Sequence, residues 1–195
     1  IDTLDIGGGY AASYTGDPTP EPTAYAARVN DLLRKSGLRI VLEPGRAIAA
    51  NSGVLLTRVI RVKHTPTRRF VIVDAAMTEL IRPALYGAYH FIWPVRDERP
   101  PTTLAPPPDR DDLTPTDVVG PVCETGDFLA RDRMLPEVAA GDILAVFSAG
   151  AYGMSMSSQY NTRPRPAEVM VTAADAQLIR RRETFEDLIA AEETE

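Results

Sequence analysis

The sequence is poor in several things, and each scarcity excludes something. It has one cysteine, Cys123, so there is no internal disulfide framework, and a single thiol fits a reducing, cytosolic compartment. No apolar run approaches the roughly 20 residues of a membrane-spanning helix, and no basic segment followed by an apolar stretch opens the chain as a signal peptide does. There is no basic cluster either. The 21 Lys and Arg residues are scattered and outnumbered by 27 Asp and Glu, for a net charge of -6. That balance argues against a nucleic-acid or anionic-membrane surface. A small anionic ligand has to be met by a few local arginines. Over 195 residues, 44% hydrophobic content is enough for a core and argues against disorder. Ile1 leads at once into a strand-like apolar run to Ile6, which reads as the middle of a domain.

Along the first fifty residues the pattern is strand, loop, helix, strand. Leu4 to Ile6 runs into three glycines and a proline-studded loop to Pro22. Tyr25, Val29, Leu32 and Leu33 then recur at helical spacing, with Pro22 and Thr23 as a start signal and Gly37 where a left-handed cap would end the helix. Leu38 to Leu42 reads as a fully buried strand, so the segment predicts one βαβ unit of a parallel sheet. After Ile48 the pattern becomes period-two alternation, over Val54 to Val62 and Phe70 to Val73. A later apolar run, Ile143 to Phe147, follows the turn signal Gly141-Asp142. This predicts antiparallel β structure. Residues 94–117 hold seven prolines and read as a long exposed connection without a regular element. The tail from Ala176 to Glu195, with Leu178, Ile179, Phe185, Leu188 and Ile189 among charges, predicts a closing surface helix. There is no internal repeat.

Five segments can carry chemistry. Gly7-Gly8-Gly9 follows a strand, where backbone amides can approach an anion, although three glycines after a strand are more often a tight turn. Glu43-Pro44-Gly45-Arg46 follows the next strand and puts a carboxylate, a flexible backbone and a guanidinium at the same end of the sheet. In (β/α)8 barrels phosphate is often bound by the loops after the last two strands. A turn with a surface ion pair is the plainer alternative. Pro121 to Asp127 sets the only thiol beside Glu124 and Asp127, a polar setting that suits a functional cysteine better than a structural one. Gly150 to Asn161 is rich in glycine, hydroxyls and tyrosine after a core strand, as binding loops are. Arg82 and Tyr86 stand four apart and share a face if their segment is helical.

Taken in order, the segments Leu-Asp-Ile-Gly-Gly-Gly-Tyr, Glu-Pro-Gly-Arg, Val-Asp-Ala-Ala-Met, Ile-Arg-Pro-Ala-Leu-Tyr, Cys-Glu-Thr-Gly-Asp and Ser-Met-Ser-Ser-Gln-Tyr-Asn span nearly the whole chain. Together they closely resemble the C-terminal half of the fold-type III decarboxylases that use pyridoxal phosphate, and within that family the branch acting on meso-diaminopimelate. The resemblance implies that residues 1–48 are the last strands of a (β/α)8 barrel. Residues 49–195 are then a C-terminal β-sandwich or barrel-like domain with a closing helix. It implies Gly9, Gly45 and Arg46 at the cofactor phosphate, Gly8 also among the cofactor-binding residues, Glu43 at the pyridine nitrogen, and Tyr152 at cofactor or substrate. Arg46, Arg82, Tyr86 and Glu124 are implied at the substrate, and Cys123 as the proton donor that completes the conversion to L-lysine and carbon dioxide.

The residue types suit these roles. A diamino dicarboxylate needs a cationic clamp for its distal carboxylate and an anionic contact for its distal ammonium. A thiol is ordinarily protonated near neutrality and so has a proton to give. The resemblance further implies a cytoplasmic homodimer in which the Cys123-Glu124 loop completes the partner's site. One departure is large. The family's Schiff-base lysine belongs to the first half of the barrel, and this chain has only Lys35 and Lys63, neither in a matching position. The 195 residues are therefore expected to be a piece of a longer enzyme. A decarboxylase of another basic substrate (ornithine, arginine or carboxynorspermidine) and a non-catalytic, heterodimer-forming relative are the alternatives. Arg82 with Tyr86 and the Cys-Glu pair favour diaminopimelate.

Overall fold

The computed structural model describes residues 1–10 and 12–192. Strand β1 (Thr3–Gly8) leads through a loop into helix α1 (Pro22–Leu33), which crosses to β2 (Arg39–Glu43). The two strands pair in parallel, Thr3 opposite Arg39 and Asp5 opposite Val41, as a βαβ unit requires. Proline at the first helical position starts α1 because its fixed φ is helical and its missing N–H has no partner to lose there. Gly37, at φ +71°, lies in the turn beyond the Arg34 cap and does not itself cap the helix. The expectation of a fully buried second strand is also corrected. Arg39, Val41 and Glu43 are exposed, because the sheet of β1 and β2 has only two strands among the described residues. The short helix α2 (Gly45–Ala49) follows and tightens into a 3-10 turn at Ala50–Ser52.

Beyond it come β3 (Leu55–His64), β4 (Arg69–Val73), α3 (Arg82–Tyr86), β5 (Ile92–Pro94), β6 (Thr114–Val119), β7 (Phe128–Leu135) and β8 (Ile143–Val146). The strands form one sheet in the order β5-β8-β3-β4-β6-β7, and the outer strands β5 and β7 approach each other, so the sheet is nearly closed. Closure protects strand edges and encloses a core of Val59, Val71, Val73, Leu80, Phe91, Trp93, Val118, Leu129, Leu144 and Val146. Each large apolar side chain there contributes about 1.5–3 kcal/mol by leaving water. On β3 the inward set is Leu55, Thr57 and Val59, and an irregularity between Val59 and Arg61 shifts the phase so that Val62 also faces in.

The sheet is mixed, not purely antiparallel as the alternation suggested: β4 and β6 run parallel, Val71 opposite Val118. A parallel pair needs a long crossover, and the segment between β4 and β6 provides it. The proline-rich stretch is also more ordered than expected. β6 begins inside it at Thr114 and accommodates Pro115, because pairing with β4 starts only at Thr116. Leu104 and Leu113 pack on the core, and the guanidinium of Arg110 is enclosed between Asp97 and Asp112. Arg69 is a further buried anchor. Its Nε donates to Thr116 Oγ1 at 2.7 Å, and its Nη2 donates to the carbonyls of Leu135 and Pro136 at 2.7 and 3.0 Å, which ties β4 to β6 and the end of β7.

The tail is not one helix. Leu178 and Ile179 lie in β10 (Ala176–Arg180), which pairs antiparallel with β9 (Glu168–Val171), and only Phe185–Ile189 forms helix α4. The helix starts where it does because the Thr184 amide donates to the Asp187 carboxylate at 2.7 Å, a capping box that the apolar spacing did not reveal. The last three residues of the expected helix lie outside the described residues. Among the described residues no helix is long and apolar enough to cross a membrane, and no cluster of His, Cys, Asp or Glu is arranged to hold a metal ion.

Candidate active site

β1 and β2 end side by side, which brings the two loops singled out in the sequence together. Gly8 is required by that approach, since a Cβ there would meet the Glu43 carbonyl oxygen at 1.8 Å. Gly9 has φ +91°, a backbone conformation that L side chains rarely adopt, and its carbonyl accepts a hydrogen bond from Arg46 Nη2 at 2.7 Å. Glu43 and Gly45 are exposed, and nothing lies within 4 Å of the position a Gly45 Cβ would take. The strand ends thus present backbone amides, a guanidinium already tethered on one side, and an open carboxylate. This donor set fits an anionic phosphate beside a basic ring nitrogen.

The second group is joined to the first by backbone packing. Gly150 sits against α2, its amide donating to the Ala50 carbonyl at 3.1 Å, while the Ala149 amide donates to Gly53 at 2.8 Å. A Cβ at Gly150 would stand 2.0 Å from the Ala49 carbonyl oxygen, so only glycine permits the approach. Two residues on, Tyr152 is held at φ +63° and 44% exposed. A tyrosine in the left-handed region costs on the order of 1 kcal/mol or more and persists only where its neighbours impose it. Here the Gly150 lock and the 3-10 turn at Met154–Met156 do so. The Tyr152 ring lies 5.9 Å from the Arg82 guanidinium. Arg82 opens α3, and Tyr86 closes it, largely exposed, before Gly87 at φ +60°.

The loop after β1 completes this group. Asn51 donates to the Ser13 carbonyl and to Ser148 Oγ at 2.7 Å, fastening the loop to the sheet. Tyr14 places its ring 4.9 Å from the Arg82 guanidinium and meets the His90 ring edge-on. His90 is fully buried. Its Nε2 is 3.0 Å from Arg82 Nη1 and its Nδ1 is 2.9 Å from the Phe147 carbonyl oxygen. Burial is the main cause that holds this imidazole at about 4, well below its ordinary 6.5, and the positive charges of Arg82 and Arg133 add to it. Sequence reading missed Tyr14, Asn51 and His90, and it placed Gly150 in a binding loop without its packing role. A lone histidine and a lone tyrosine carry no spacing signal, and the glycine's role exists only where two distant segments meet.

Cys123 and Glu124 belong to a different connection. They are exposed in the connection between β6 and β7, whose shape is set by Asp127 accepting from the Met77 and Val122 amides at 2.7 Å each. Glu124 Oε2 accepts a long hydrogen bond from the Tyr160 hydroxyl at 3.5 Å. No hydrogen bond or ion pair links either residue to Arg46, Arg82 or Tyr152 among the described residues. Of the two lysines, Lys35 is exposed just after α1, and Lys63 lies eight residues along β3 from Leu55, roughly 26 Å at strand rise.

A βαβ unit with glycine and arginine at its strand ends is locked to a nearly closed six-stranded sheet, whose connections bring an arginine and a tyrosine together. Residues 10–150 match the pyridoxal-dependent decarboxylases in what is described as their C-terminal sheet domain, and the chain belongs to that family. It is 50% identical over 190 residues to diaminopimelate decarboxylase of Vibrio cholerae, and 47% identical over 190 residues to that of Aquifex aeolicus. In each case the match takes in 97% of this chain and 43% of the relative. The crystal structure of diaminopimelate decarboxylase from Helicobacter pylori complexed with L-lysine superposes with a TM-score of 0.82 at 41% identity, covering 96% of this chain and 44% of that one. The chain thus spans less than half the length of these relatives.

Proposed function

We propose that these residues form the C-terminal part of a pyridoxal-phosphate-dependent decarboxylase that converts meso-diaminopimelate to L-lysine and carbon dioxide. The observation that carries this reading is the continuous line from Gly9 and Arg46, across the Gly150 lock, to Tyr152 and Arg82. Residues 1–48 would belong to a (β/α)8 barrel and residues 49–195 to the β domain, with the rest of the barrel and the Schiff-base lysine supplied by polypeptide outside these residues.

When bound, pyridoxal phosphate supplies a ring that takes up the electron pair left as carbon dioxide departs. Gly9, Gly45 and Arg46 would hold its phosphate through amides and one guanidinium, with Gly8 allowing the close approach of the two loops. Glu43, an exposed carboxylate at the end of β2, would pair with the pyridine nitrogen and favour its protonated form. Arg82, whose guanidinium lies 4.9 Å from the Tyr14 ring and 5.9 Å from the Tyr152 ring, clamps the distal carboxylate of the substrate, with Tyr86 and Tyr152 beside it. Glu124 receives the distal ammonium, and the Cys123 thiol delivers the proton that completes the product.

The exposure of Cys123 and Glu124, and the lack of any hydrogen bond or ion pair from them to Arg46 or Arg82 among the described residues, support a homodimer in which this loop enters the partner's site. The free thiol suits the reducing cytoplasm, where we place the enzyme. Two measurements on the complete protein test the reading. Borohydride reduction and peptide mass mapping should find the pyridoxyl group on a lysine outside these residues. An adduct on Lys35 or Lys63 would overturn the site. Arg82→Ala should lower kcat/KM for diaminopimelate by about a hundredfold, the range of a lost hydrogen bond between charged groups, and unchanged turnover would remove diaminopimelate as the substrate.

A further inference from the structure

Arginine side chains are long, and one that clamps a ligand works best when its plane is fixed beforehand. Arg82 has only one turn of helix behind it, since α3 runs from Arg82 to Tyr86. Its backbone therefore does little to orient the guanidinium. Three other elements do so. The His90 ring faces Arg82 Nη1 at 3.0 Å, the loop after β1 lays Tyr14 against the guanidinium at 4.9 Å, and the loop after β8 brings Tyr152 to 5.9 Å.

The protonation of His90 follows from its two partners. The Phe147 carbonyl only accepts, so Nδ1 carries the hydrogen and donates at 2.9 Å. The guanidinium only donates, so Nε2 presents its lone pair to Arg82. A proton on Nε2 would place two donors face to face. The charged groups that act on His90 are Arg82 from α3 and Arg133 from β7, and both disfavour an imidazolium. The Tyr14 ring packs edge-on at 5.4 Å and closes the remaining side.

We propose that His90 is a positioning residue: neutral, anchored on the Phe147 carbonyl, it accepts a hydrogen bond from Arg82 and fixes the guanidinium that selects a carboxylate at the far end of the substrate. This rests on the reading of Arg82 given above. It assigns His90 a part in specificity and none in contact with substrate. Arg82 keeps its other N–H groups for a ligand, and no carboxylate forms an ion pair with it among the described residues.

The test compares two inhibitors of the complete enzyme that differ only in the group Arg82 reads. L-Lysine carries the carboxylate, and cadaverine has the same diamine chain without it. His90→Phe keeps the ring and removes both hydrogen bonds. It should weaken L-lysine inhibition about tenfold, raise KM for diaminopimelate similarly, and leave cadaverine inhibition and kcat within about twofold. His90→Gln, whose amide oxygen can take the place of Nε2, should restore most of the discrimination. Equal weakening of both inhibitors, or of neither, would overturn the assignment. Arg82→Gln separates the two levels of the argument. If it leaves L-lysine and cadaverine equally affected, the substrate reading fails. If it abolishes discrimination while His90→Phe does not, only the positioning role fails. Should His90→Phe not fold, 15N NMR of the unmodified enzyme decides, because hydrogen on Nε2 instead of Nδ1 at neutral pH would refute the proposal by itself.

Discussion

Acidification should destabilise this protein in part through His90, and the size of that part follows from its burial. Its imidazole is fully buried and held at about 4, against an ordinary 6.5 in an unfolded chain. Between those values the unfolded state binds a proton that the folded state refuses. Stability is therefore fully present above pH 6.5 and lost as pH falls toward 4, with a limiting slope of about 1.4 kcal/mol per pH unit. Integrated from pH 7 to pH 5, the loss assignable to His90 is about 2 kcal/mol. Urea unfolding of the complete protein at the two pH values, followed by fluorescence, measures the total loss, to which other groups contribute. The difference between wild type and His90→Gln isolates this one, because glutamine has no proton to gain. The variant should lose about 2 kcal/mol less on acidification. Equal losses in both proteins would refute the burial argument.

Gly150→Ala should uncouple the two parts of the site, because its Cβ would meet the Ala49 carbonyl and the Gly53 amide, both backbone. A destabilisation of about 1–3 kcal/mol is expected in urea unfolding, with a lower kcat/KM as Tyr152 moves away from α2. Arg69→Leu should cost about 3 kcal/mol or more, since it leaves the Leu135 and Pro136 carbonyls without their donor in the interior, and thermal unfolding would register it. Cys123→Ala should slow product formation by at least about a hundredfold while cofactor affinity, read from the visible absorbance of bound pyridoxal phosphate, stays within about twofold. Equal loss of both would count against its role as proton donor.

Much of this protein was legible in its sequence, for local reasons. Strand periods, the Pro22 helix start, and the glycine and Glu-Pro-Gly-Arg loops after successive strands are properties of a few neighbouring residues, and they gave β1, α1, β2 and the two loops that meet at the strand ends. The tail misled because Leu178, Ile179, Phe185, Leu188 and Ile189 satisfy helical spacing. Only the pairing of β10 with β9 and the Thr184–Asp187 cap decide where strand ends and helix begins. Tertiary structure alone decided the parallel pairing of β4 with β6, because register depends on what lies across the sheet. It also decided the surroundings of Arg82. Tyr14, His90 and Tyr152 are separated by up to 138 positions, and none announces itself by spacing. Chain order fixes which chemical groups are present. Folding fixes which of them share a buried space, and there a histidine becomes neutral and an arginine acquires a direction.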